Sequence, residues 1–217
     1  IIERLAYKPL RQASSLAVLI TAIGVSYFLQ NLALLIWGSA AKIFPTILDY
    51  GSINLFNDQL KLSYQMLITI TVCIVIMILL NLFIKKTKIG KAMRACSEDK
   101  EAAALMGINV DNIISLTFAI GSGLAAVAAL LLCAAYPTVT PTLGSMPGIK
   151  AFTAAVIGGI GSIPGALLGG LLLGVIEIIV KAYGLSELTD AIAFGVLILV
   201  LLFKPTGLLG KKVKEKV

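Results

Sequence analysis

Few side chains in this sequence could make or break bonds, and their positions restrict them further. Histidine is absent, which removes imidazole general-base catalysis, Ser-His nucleophile pairs and the usual zinc sites. Cys73 and Cys133 fall inside hydrophobic segments and Cys96 inside the most basic connection. That spacing carries no metal motif and no evident disulfide, so the three cysteines read as apolar filler. Glu177 lies deep in an otherwise apolar stretch, and a carboxylate buried in a membrane marks a proton or ion relay. Lys181, four residues on, offers a plainer account, an interfacial ion pair on one helix face. There is no glycine-rich loop ending in Lys-Ser/Thr, so the chain is not expected to hydrolyse ATP. Without histidine or paired intramembrane aspartates, a membrane-embedded hydrolase is disfavoured.

The elements that must position these residues follow from charge distribution. Of 217 residues, 59% are hydrophobic and 13% charged, against roughly 25% charged in a soluble domain. Residues 12–41, 62–84, 112–149 and 151–176 contain no charge at all. Each run can cross a bilayer, since about 20 apolar residues span the hydrocarbon core as a helix. The backbone must satisfy itself in lipid, which leaves helices or closed barrels. Barrel strands alternate in polarity, whereas the run from Val72 to Leu80 does not. The expected fold is therefore all-α, a polytopic transmembrane helical bundle. We read it as one membrane domain with spans at about 14–37, 64–84, 113–136 and 187–203. Trp37 falls where an interfacial aromatic belongs.

Between 136 and 187 the pattern is less regular. Residues 137–147 hold three prolines and read as a loop. The apolar stretch 151–160 is too short to span, at about 15 Å of helix. Gly158, Gly159, Gly161 and Pro164 interrupt it before a longer helix from about residue 165 to 183. The segment 151–183 thus reads as a glycine-broken or re-entrant hairpin. Basic residues set the orientation. Arg4, Lys8 and Arg11 lie at the start, six basic residues in connection 85–111 and five in the tail 204–217, against two in loop 38–63. The basic segments are placed in the cytoplasm. The chain opens on Ile-Ile-Glu-Arg, which suggests a fragment or a processed N-terminus. The same basic residues satisfy topology and anionic lipid without any nucleic acid.

Two segments are candidates for function. In the cytoplasmic connection Ser97 is an expected helix N-cap, with Glu98, Asp99 and Glu101 in the first turn. Ala104, Leu105 and Ile108 fall at helical spacing and Gly107 can end the helix. The result is a short amphipathic helix on the membrane face, which pattern alone leaves open as either a docking element or a plain connector. In the second segment Gly161, Gly165 and Gly169 recur every four residues, a bare ridge for close helix approach. An interrupted helix also leaves backbone groups free to face a water-filled path. Gly158, Gly159, Gly161, Ser162, Pro164 and Gly165 therefore read as a translocation path, a helix break, or both.

Glu101-Ala102-Ala103, then three residues, then Gly107 resembles the cytoplasmic EAA loop of ABC importer permeases. The segment from Ala155 to Gly170, AVIGGIGSIPGALLGG, is similar to the glycine-rich segment of branched-chain amino acid permeases, the LivH-like group. Further blocks match in order: Tyr7 to Arg11, Thr21 to Ser26, Gly90 to Ala95 and Phe203 to Gly210. The resemblance covers nearly the whole chain, although members of that family extend further at the N-terminus. It implies the membrane subunit of a binding-protein-dependent importer in a prokaryotic cell membrane. The cargo would be branched-chain or other hydrophobic amino acids, with amides or urea as alternatives. Implied partners are two cytoplasmic ATPase subunits that bind the ATP, a second permease subunit and an extracytoplasmic solute-binding protein. Glu98, Glu101, Ala102, Ala103 and Gly107 would couple to the ATPase, and the chain would need no cofactor or metal of its own. A self-sufficient channel or secondary transporter is the competing class, but it would carry more ionisable groups in its spans.

Overall fold

The structure, a computed structural model, describes residues 2–10, 13, 15–45, 52–55 and 60–210. Arg11 and the tail lysines at 211, 212, 214 and 216, which enter the charge argument, lie outside the described residues. Among the described residues the regular structure is helical apart from two short antiparallel strand pairs. A π turn at Glu3–Tyr7 and a 3₁₀ turn at Lys8–Leu10 lead into α1 (Ser15–Trp37). Then follow α2 (Tyr64–Lys86), α3 (Lys88–Glu98), α4 (Lys100–Leu105) and α5 (Val110–Ala135). The last helices are α6 (Ser145–Gly158), α7 (Ile163–Ala182) and, after a 3₁₀ turn at Ser186–Leu188, α8 (Thr189–Phe203). Strand β1 (Lys42–Ile43) pairs antiparallel with β4 (Thr138–Val139), and β2 (Ser52–Leu55) with β3 (Leu60–Ser63). Among the described residues five segments are long and apolar enough to cross a membrane: Leu16–Trp37, Tyr64–Lys86, Val110–Ala135, Ile163–Ala182 and Ser186–Phe203. Their threonine hydroxyls are paired within the helix. Thr21, Thr69, Thr71 and Thr117 each donate to the carbonyl four residues back, at 2.8–2.9 Å.

Two compact units make up the chain, Ile1–Ile74 with Leu82–Gly144, and Val75–Asn81 with Ser145–Val217. In the first, the Tyr7 ring packs on Phe118 with centroids 4.9 Å apart, and the Ser115 hydroxyl donates to the Glu3 carboxylate at 3.0 Å. The turn from α2 to α3 is made by Thr87, whose hydroxyl accepts from the Gly90 N–H at 3.0 Å. Gly90 rests directly on the Ile84 backbone, where a Cβ would collide with the Ile84 carbonyl.

In the second unit α6 starts earlier than the proline count suggests. Residues 145–147 are helical rather than loop, because Pro147 sits in the first turn, where its missing N–H would have had no helical partner. The entering helix is thus 14 residues long, about 21 Å, against the ten residues expected. Its core side chain, Ile157, is fully buried with Leu173 of α7 and Ala193 of α8, and Val196, Leu197 and Val200 pack around them.

At their glycines α6 and α7 meet backbone to backbone. A Cβ on Gly158 would collide with the Gly165 carbonyl, one on Gly165 with the Gly158 carbonyl, and one on Gly169 with the Ala154 carbonyl. The glycine ridge is therefore Gly165 and Gly169 facing Ala154 and Gly158. Gly161, expected on that ridge, lies instead in the turn with open space around it. Gly169→Val is expected to cost about 1–3 kcal/mol or more by overpacking. Gly174→Ala, on the same helix with nothing within 4 Å, is expected to be neutral or slightly stabilising. Thermal unfolding of the two variants in detergent separates these outcomes.

Candidate functional site

The connection between α2 and α5 positions the first candidate segment. Helix α3 continues through Glu98, so Ser97 is not a cap; its hydroxyl donates back to the Arg94 carbonyl at 2.7 Å. The cap is Asp99, in extended conformation, whose carboxylate accepts from the Glu101 N–H at 2.9 Å and the Ala102 N–H at 3.0 Å. A carboxylate there also meets the positive end of the helix dipole, which a serine hydroxyl cannot match. α4 closes at Gly107, with φ of 81°. The Gly107 N–H donates to Ala104 O at 3.0 Å and the Ile108 N–H to Ala103 O at 3.1 Å. This double closure is the Schellman arrangement that left-handed glycine permits.

The expected apolar face is redistributed. Ala103 is the inward residue at 3% exposure, Ile108 is half-buried, and Ala104 and Leu105 point outward. Leu105 and Met106 are 89% and 83% exposed, a bare apolar tip at the end of a rigidly capped turn. Glu98, Glu101 and Ala102 are exposed beside it. Met106 was not evident from spacing, because exposure of an apolar residue leaves no mark in the sequence.

The second candidate segment lies in the other unit. α6 ends at Gly158, and the chain turns through Gly159 and Gly161, with φ of 104° and 90°. Ser162 then caps α7, its hydroxyl accepting from the Gly165 N–H at 3.2 Å. Pro164 stands in the first turn, where it fits. The break thus spans 159–162, and α7 starts at Ile163, two residues before the start expected at about 165. Gly158, Gly159 and Gly165 are buried, while Ile160 and Gly161 are exposed at the turn.

At the opposite end of the same helices is a cluster that the sequence reading missed. Lys150 Nζ of α6 lies 2.9 Å from the Glu177 carboxylate of α7 and 2.8 Å from the Asp190 carboxylate of α8. Glu177 therefore pairs across helices with Lys150, and the expected i+4 pairing to Lys181 is corrected. The early start of α6 is the reason, since it carries Lys150 onto the helix instead of leaving it in a loop. Among the described residues no group of three potential metal ligands occurs.

The arrangement defines a class: a membrane-embedded helical protein whose special features are a broken helix pair and a capped surface turn. Comparison narrows it. Residues 3–201 match the model of the family described as branched-chain amino acid transport system / permease component. The high-affinity branched-chain amino acid transport system permease protein BraD of Pseudomonas aeruginosa is 50% identical over 220 residues, covering all of this chain and 71% of that one. LivH of Escherichia coli K12 is 46% identical over the same span and shares. A probable LivH of Methanocaldococcus jannaschii is 29% identical, covering 99% of this chain and 72% of that one. No solved structure matches the chain. The chain belongs to the branched-chain amino acid permease family.

Two outcomes test the geometry. Asp99→Ala is expected to cost about 1 kcal/mol of local helix stability, while Ser97→Ala changes little; hydrogen exchange at Glu101 and Ala102 reads the difference. Lys150→Met leaves two carboxylates facing each other and is expected to destabilise by about 1–3 kcal/mol, limited by partial exposure. Adding Glu177→Gln and Asp190→Asn should recover most of that loss in a thermal melt.

Proposed function

We propose that this chain is the permease subunit of an ABC importer that carries branched-chain amino acids into the cytoplasm. The observation that carries the reading is 50% identity along the full chain to a permease protein of a high-affinity branched-chain amino acid transport system. On this reading the chain is non-catalytic. Two cytoplasmic ATPase subunits bind and hydrolyse ATP, a second permease subunit completes the pathway, and an extracytoplasmic solute-binding protein delivers the cargo. The connection 85–111 and the described part of the tail face the cytoplasm, in keeping with their lysines and arginines. The α6–α7 pair acts as a return hairpin within a single permease domain.

The coupling element is α4 with its flanks, Glu98, Glu101, Ala102, Ala103 and Gly107. Its support is mechanical. A six-residue helix is unstable alone, yet Asp99 closes one end, Gly107 the other, and Ala103 anchors it, leaving Leu105 and Met106 to enter a partner's cleft. Gly158, Gly159, Gly161, Ser162, Pro164 and Gly165 form the helix break beside the path.

Gly107→Val places a β-branched residue at a left-handed φ, which opens the end of α4. Membrane insertion is expected to persist, with uptake of labelled leucine falling at least tenfold while the partner ATPase still turns over. Normal uptake by this variant would overturn the coupling assignment, and failure of ATPase subunits to co-purify with the wild-type chain would overturn the class.

A further inference from the structure

Helix α6 is closed differently from α4 and α7. The ends of α4 and α7 are satisfied by their own following residues, through Gly107 and Gly184. At α6 the Gly159 N–H reaches the Ala155 and Val156 carbonyls at 3.0 and 3.2 Å, but the partners of the last two carbonyls come from beyond α8. Residues 204–210 fold back over the end of α6, so that the Leu208 N–H donates to the Ile157 carbonyl at 2.8 Å and the Leu209 N–H to the Gly158 carbonyl at 2.9 Å. The segment also closes on itself. The Gly207 N–H donates to the Lys204 carbonyl at 2.8 Å, and Lys204 Nζ to the Leu208 carbonyl at 2.9 Å.

This crossing leaves no room for side chains. A Cβ on Gly207 would lie 2.5 Å from the Gly159 backbone and 2.7 Å from the Val156 carbonyl. One on Gly159 would collide with the Gly210 N, and one on Gly210 with the Thr206 carbonyl. Gly159 and Gly207 also have φ of 104° and 74°, a region open chiefly to glycine. The glycine-rich block 155–170 and the block 203–210 are thus held against each other backbone to backbone. A helix leaves its last carbonyls without internal partners, and in a low-dielectric setting such groups must find others. Backbone donors supply them here, so the connection does not depend on any side chain.

We propose that residues 204–210 are a clasp that holds the α6–α7 break in its working geometry, with Gly159 and Gly207 as positioning residues for translocation. The inference rests on the permease reading. It requires that the end of α6 and the end of α8 move as one piece in every step, because separating them breaks two hydrogen bonds and unseats two glycines.

The test uses the assembled importer in proteoliposomes, with uptake of labelled leucine expressed per assembled complex. Gly207→Ala and Gly207→Asn are both expected to lower uptake at least tenfold, because contact, and not φ alone, excludes them. Gly184→Asn, at φ of 78° with nothing within 4 Å, should stay within twofold of wild type, since Asn tolerates that region. In the variants the amides of Leu208 and Leu209 should lose protection from hydrogen exchange. The readout is informative because their side chains are 36% and 48% exposed. Should the Gly207 variants fail to assemble, the wild-type complex decides: both amides should stay protected without nucleotide and with a trapped ATP analogue. Loss of protection in either state, or normal uptake by Gly207→Asn, would overturn the clasp. Absence of uptake by the wild-type complex would instead overturn the permease reading beneath it.

Discussion

The α6 and α7 backbones touch at Gly158, Gly165 and Gly169, and the rest of the Ser145–Gly210 segment is arranged around that contact. Close approach gains dispersion and weak Cα–H contacts where apolar burial drives little helix association. It also forces a sharp reversal, which glycines at 159 and 161 allow and Ser162 terminates. The reversal strands the last carbonyls of α6. Their partners, the Leu208 and Leu209 N–H groups, lie across a second glycine crossing. One choice of small residues thus propagates into the turn, the cap and the end of α8.

Charge is arranged with similar economy. The unit's two ends are fastened by different chemistry, backbone hydrogen bonds at the α6 C-terminus and the Lys150–Glu177–Asp190 cluster near its start. A lysine shared by two carboxylates joins three helices through a single side chain, and partial exposure lowers the desolvation penalty a buried cluster would carry. In the other unit, α4 shows the same dependence on its ends. Asp99 and Gly107 hold six residues that propensity alone could not keep helical, and this rigidity lets Leu105 and Met106 stand outward.

The helical membrane class was legible because charge-free runs leave no other structure for the backbone. What escaped the sequence was of two kinds. Local choices between equivalent residues were one: Ser97 and Asp99 are both good caps, and only the continuation of α3 through Glu98 decides between them. Pro147 marks a loop or a first turn equally well, and choosing the loop shortened α6 and hid Lys150. The other kind was long-range. Glu177 had a visible neighbour in Lys181, whereas Lys150 and Asp190 meet it only after three helices pack. The return of 204–210 onto α6 is made by amide groups common to every residue, so its one trace was glycine at 207 and 210 following Pro205.

On the proposed function this chain is the membrane half of an ATP-driven importer for branched-chain amino acids. The most direct measurement of that role is leucine accumulation in proteoliposomes holding the chain with its partner permease and ATPase subunits, supplied with loaded binding protein outside. Accumulation should require ATP and should survive collapse of proton and sodium gradients. Accumulation by the chain without ATPase subunits, abolished when those gradients are dissipated, would contradict the account.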